Sequence, residues 1–160
     1  MFERNPLSAD ARENYSLFIE NLRGWLDKNL PAVANLANMS ALIAYFFDRI
    51  NWSGFYLLTD GRLTLGPFQG LPACTEIMIG KGVCGTAAAT MKTVLVPNTH
   101  QFPGHIACDD RSNSEIVVPI VKAGRLIGVL DLDSPEFGRF GALEQEILEL
   151  AVAILIDNLA

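Results

Sequence analysis

The sequence predicts an α+β fold, a mainly antiparallel sheet covered by helices drawn from both ends of the chain. Apolar residues at helical spacing are concentrated in the two ends. Between them, strand-like stretches follow one another through the short turns Thr59-Asp60-Gly61 and Ala123-Gly124. Such turns join antiparallel neighbours, whereas parallel strands need long crossovers. Half of the 160 residues are hydrophobic, ample for one core. One domain is therefore expected over 1–160, with a helical part at 1–48, sheet and loops at 51–140, and a closing helix at 141–160.

The first helix is expected from a cap at Ser8 to Leu30, with Tyr15, Phe18, Ile19, Leu22, Trp25 and Leu26 on one face and Pro31 as its stop. A second runs from Ala32 to about Phe47 along Val33, Leu36, Ala37, Ser40 and Ile43. Two apolar helical faces ahead of the sheet would pack on it, or on a second copy of the chain. From Asn51 the period changes, and NWSGFYLL with Arg62–Gly66 reads as a hairpin closed by Asp60-Gly61. Gly66–Glu76, carrying Gly66, Pro67, Gly70 and Pro72, reads as an irregular or bulged connection, and Ile77–Ile79 as a short strand. GKGVCGTAAATM, Gly80–Met91, suits a tight turn feeding an alanine-rich helix. Strands follow at Thr93–Val96, Ile116–Val121 and Arg125–Asp131, and Gly141–Leu159 closes the chain with Leu143, Ile147, Leu150, Ala151 and Ile154 at helical spacing.

A net charge of −6 speaks against nucleic acid, because phosphate binding relies on clustered Lys and Arg. No apolar run is long enough to cross a bilayer. The opening MFERNPLSADARE lacks the basic-then-apolar layout of a secretion signal, so a cytoplasmic setting is expected. Three cysteines is an odd number, which excludes a full disulfide framework. In that compartment a disulfide would be transient and catalytic.

The richest chemistry lies in Phe102–Glu115, FPGHIACDDRSNSE, a long polar loop between two strands. Loops of this length inside a compact domain tend to be functional. Cys108 has apolar neighbours on one side only and is the leading candidate for a reactive thiol. The three cysteines with His105 could be counted as a zinc set, but no CxxC occurs and structural zinc sites use closely spaced pairs, so no metal is expected. A redox pair is more natural: one thiolate attacks and a second resolves the product. Cys84, between Val83 and Gly85, suits a small core residue equally well; Cys74, on the loop after Pro72, suits it less.

Asp131 and Asp133 alternate to one face at the end of their strand. Pairing through Ala123-Gly124 would bring Glu115 to the same end of the sheet. Such a group would hold an ammonium ion, and a member with raised proton affinity would protonate a developing oxyanion. Trp52 and Tyr56, four apart on one strand, share a face, as core packing or as the wall of a pocket for a methyl or thioether group. His105 reads as an ordinary loop histidine and His100 has no assigned role. Gly80, Gly82 and Gly85 bracket a helix start and resemble an anion-binding turn, while no GxxxxGK[ST] occurs.

The strings NWSGFYL, LGPFQGLPAC, GKGVCGTAA, FPGHIACD, SNSEIVVPI and GVLDLDSPEFGRF, in this order, resemble the free methionine-(R)-sulfoxide reductases, which are stand-alone GAF domains. The similarity runs from about Asn51 to Phe140 and extends over the flanking helices. It implies a GAF-like fold, a central antiparallel sheet of about six strands flanked by N- and C-terminal helices. It implies Cys108 as the nucleophile that becomes a sulfenic acid, Cys74 or Cys84 as the resolving thiol, and thioredoxin with NADPH as electron source, with no bound cofactor. Glu115, Asp131 and Asp133 would then bind the amino group and sulfoxide oxygen, with Trp52 and Tyr56 around the methylsulfinyl group. The substrate would be the free amino acid, and the protein a homodimer. The competing expectation is a GAF module that binds or senses a small ligand without chemistry. Such modules are normally joined to an output domain, whereas this chain stops after its last helix, and they have no need of three thiols.

Overall fold

The computed structural model describes residues 2–4, 6–106 and 109–159. Helices α1 (Ala11–Trp25) and α2 (Ala32–Phe46) precede β1 (Trp52–Thr59), β2 (Arg62–Gln69) and β3 (Glu76–Met78). Helix α3 (Gly82–Thr90), β4 (Val94–Val96), β5 (Ser114–Lys122), β6 (Arg125–Ser134) and α4 (Ala142–Asp157) follow. The strands form one six-stranded sheet in the order β3-β2-β1-β6-β5-β4. Every adjacent pair is antiparallel. The GAF-like α+β architecture expected from the sequence is the one observed.

Strand alternation divides the sheet's side chains between two faces. Phe55, Ile116, Val118, Ile120, Leu130 and Leu132 pack on one face against Phe18 and Leu22 of α1, Leu36 and Ile43 of α2, and Leu148 and Leu155 of α4. Trp52, Tyr56, Val117 and Val129 point to the other, where Val83, Cys84, Ala87 and Ala88 of α3 meet them. The terminal helices therefore share one face, which leaves the opposite one to the short α3 and the loops.

Several boundaries differ from the sequence reading. Helix α1 is capped by Asp10, whose Oδ1 accepts from Arg12 N at 2.8 Å, while Ser8 Oγ accepts from Asp10 N at 3.1 Å, two residues too early to cap. It ends at Trp25 and not Leu30. Beyond it the buried Asn35 takes over the backbone, accepting from Asp27 N and donating to Asp27 O, each at 3.0 Å, and donating to Asn158 O at 2.9 Å. This tertiary clamp overrides helical spacing. Strand β2 runs through Gly66 and Pro67 to Gln69, with Gly54 opposite Phe68 and the irregularity absorbed by a register shift between Gly54 and Tyr56. Strand β3 begins one residue earlier than expected, at Glu76. Strands β5 and β6 are longer, starting at Ser114 and ending at Ser134.

Candidate active site

One cavity opens on the α3 face of the sheet, and six of the residues singled out from the sequence line it: Trp52, Tyr56, Cys84, Glu115, Asp131 and Asp133. The pairing explains the convergence. Asp133 stands opposite Trp52 on one side and Glu115 on the other, and Asp131 opposite Gly54 and Val117. Their side chains therefore leave the same face within two residues of one another. Cys84 arrives from above, on the first turn of α3.

The indole of Trp52 stacks on Phe68 at 5.3 Å and on Tyr56 at 5.9 Å between ring centroids, and its Nε1 donates to Leu71 O at 3.1 Å. Gly54 makes this possible. A Cβ there would lie 2.3 Å from Phe68 Cβ and 2.7 Å from the Trp52 ring. The indole thus ties the aromatic wall to the Leu71–Ala73 rim of the cavity, next to Cys74.

Burial raises the carboxyl groups of Glu115, Asp131 and Asp133 well above the ordinary carboxylate range, and each is pushed further by an acidic neighbour. The same burial, with Asp131 and Glu115 beside it, keeps the Cys84 thiol protonated. Asp131 Oδ1 is buried and has no hydrogen-bond partner among the described residues. His105 Nε2 lies 3.4 Å from Glu115 Oε2. Burial lowers the imidazole's proton affinity while it raises that of the carboxyl, so this contact joins two neutral groups rather than an ion pair. Asp109 is the opposite case. Hydrogen bonds from Arg111 first of all, and from Asn51, hold its carboxyl far below the ordinary range. Asn51 Nδ2 donates to Asp109 Oδ2 and to Ser112 Oγ, both at 3.0 Å, which pins the loop to the start of β1.

Cys74 is disulfide-bonded, and Cys84 is a free, buried thiol. Cys108 lies outside the described residues; Ile106 and Asp109, on either side of it in sequence, line the cavity. Sequence reasoning missed His105 as a neighbour of Glu115, and it missed Asp109, Ser112 and Lys81 on the wall. The run of polar residues after Cys108 was a usable signal for Asp109 and Ser112. Asn51 carried none, because only the fold brings it to a loop 58 residues away.

The sequence matches the GAF domain family over residues 24–156. This chain belongs to the GAF family. The free methionine-R-sulfoxide reductase of Escherichia coli is 52% identical over 128 residues, covering 80% of this chain and 78% of that protein. Protein YtsP of Bacillus subtilis is 45% identical over 150 residues, covering 92% of each. The structure of fRMsr of Staphylococcus aureus in complex with substrate superposes with a TM-score of 0.88 at 48% identity, over 99% of this chain and 100% of that one. Within the GAF family the chain groups with the free methionine-R-sulfoxide reductases.

Proposed function

We propose that this GAF protein reduces free methionine-(R)-sulfoxide to methionine, with Cys108 as nucleophile, Cys74 as the thiol that resolves it, and thioredoxin as electron source. The observation that carries the reading is the set of buried, proton-holding carboxyl groups Glu115, Asp131 and Asp133 facing an aromatic wall. A sulfoxide is a poor electrophile until its oxygen is protonated, so a thiolate needs an acid beside it. Burial and like-charged neighbours keep a carboxylic acid available at neutral pH.

The Cys108 thiolate attacks the sulfoxide sulfur while one of these carboxyls delivers a proton to the oxygen. The oxygen passes to the enzyme as a Cys108 sulfenic acid, and methionine leaves with the electron pair. Cys74 then attacks the sulfenic sulfur, releasing water and forming a disulfide, which a thioredoxin dithiol reduces by exchange. The disulfide-bonded state of Cys74 supports its resolving role. Cys84, a buried thiol beside Asp131, fits better as part of the binding wall. Trp52 and Tyr56 would enclose the methylsulfinyl group. The substrate ammonium would meet the acidic wall, ionised Asp109 included, and its carboxylate the start of α3 beside Lys81.

Thioredoxin-coupled NADPH oxidation, run with the R and S epimers of free L-methionine sulfoxide separately, tests the reading. Turnover of the R epimer is expected, and its absence would overturn the proposal. A module that binds without chemistry would show affinity and no NADPH consumption. A homodimer is part of the proposal, supported by the exposed apolar Leu17, Trp25 and Val33 on the two N-terminal helices. Sedimentation should give twice the chain mass. A cytoplasmic setting is likewise proposed. Among the described residues no helix is long and apolar enough to cross a membrane.

A further inference from the structure

We propose that Cys84, Glu115 and Asp131 form a binding site for one zinc ion, whose occupancy closes the substrate cavity. One ligand atom from each residue lies within 4.8 Å of the other two, and all three side chains are buried. Asp131 Oδ1 adds an independent observation: it is a buried acceptor on the cavity wall with no partner among the described residues. A buried carboxyl oxygen with no hydrogen-bond partner carries a desolvation penalty that a cation would relieve. The three donors stand on α3, β5 and β6, each packed into the core, so little ordering is needed on binding.

The donor set selects the ion. A soft thiolate with two carboxylates, and a fourth position left to water, is a zinc pattern, whereas magnesium and calcium demand six or more oxygens. Binding releases the Cys84 thiol proton and any carboxyl proton to the buffer. These ligands differ from the three cysteines with His105 that the sequence alone offered, since the disulfide removes Cys74 from ligation in this state. The site rests on geometry and not on the reductase reading. If that reading holds, zinc and sulfoxide would exclude one another, because both occupy the space before Trp52 and Tyr56.

The test uses the full chain carrying Cys74→Ser and Cys108→Ser, which leaves Cys84 as the sole thiol, and titrates it with Co²⁺ and then Zn²⁺. One cobalt per chain is expected, with a near-ultraviolet thiolate-to-cobalt charge-transfer band that zinc bleaches. Adding Cys84→Ser should abolish the band. Asp131→Asn and Glu115→Gln should each weaken zinc by more than the roughly 10–100-fold that loss of an outer partner brings. No band in the sole-thiol protein, or unchanged zinc affinity in Asp131→Asn, would overturn the proposal. Proton release on zinc addition to the sole-thiol protein gives a second readout that depends on no further variant folding; its absence also overturns the site. Failure of the reductase assay would leave the cobalt band in place, so the two ideas fail separately.

Discussion

Glu115→Gln separates stability from catalysis. Glu115 is 6% exposed, stands opposite Asp133 across the β5–β6 ladder, and has its carboxyl raised first by burial and then by Asp133. A folded-state pKa above the unfolded one, about 4.3 for Glu, gives stability that is full below that unfolded value. That stability is lost as pH rises toward the folded pKa. Within the window, one retained proton costs about 1.4 kcal/mol per pH unit. For a domain of this size, about 1 kcal/mol moves Tm by roughly 2–4 °C, so the slope is about 3–6 °C per pH unit. Glutamine keeps the shape and the donor but does not titrate, and it also relieves the repulsion on Asp131. Thermal unfolding of the oxidised protein from about pH 5 to 8 should therefore show a flatter profile for the variant, with Tm at neutral pH equal to or above that of the parent. Turnover should fall by roughly 10²–10⁴-fold if this carboxyl is the proton donor. Parallel pH profiles for the two proteins would show that Glu115 is already ionised in the fold, and the argument for a proton-holding site would fail with it.

Three further outcomes are expected. Cys74→Ser should release about one methionine per chain in a rapid first turnover and then stall with thioredoxin, as seen by quench-flow and product analysis. Gly54→Ala would place a Cβ 2.3 Å from Phe68 Cβ and 2.9 Å from Phe68 Cα, so the backbone must shift. A loss of about 1–3 kcal/mol or more in urea unfolding, with a raised KM from the displaced Trp52 ring, should follow. Asn51→Ala removes the two 3.0 Å hydrogen bonds to Asp109 and Ser112. Faster amide exchange confined to the loop of residues 102–113, with lower kcat/KM, is expected, and uniform exchange across the chain would contradict the loop-pinning role.

Periodicity marked out α1, α2, α4 and the longer strands because burial on one face imposes a repeat that each segment carries by itself. Helix α3 was legible instead from its Gly turn and alanine content, and the 3-10 turn Thr99–Gln101 was missed. That Glu115, Asp131 and Asp133 reach the same end of the sheet was also readable, since one short hairpin joins β5 to β6. It is the register shift between Ile120 and Val121, however, that sets Glu115 opposite Asp133 and on its face. The misplaced ends have a common cause. Leu26–Leu30 keeps helical spacing, yet Asn35 takes the backbone N–H and C=O of Asp27. Gly66 and Pro67 look like a break, yet they extend β2 because the pairing of Phe68 with Gly54 outweighs their weak strand preference.

Alone, then, the sequence determined the fold class, the shared face of Trp52 and Tyr56 and the acidic end of the sheet, all products of local repeat and short-range pairing. Only the tertiary structure decided that Cys84 sits free beside Asp131, that His105 meets Glu115 as a neutral partner, and that Asn51 holds Asp109. Those facts depend on burial and on contacts between segments far apart in the chain, and no local pattern encodes how much water a carboxyl or a thiol will lose when the chain closes over it.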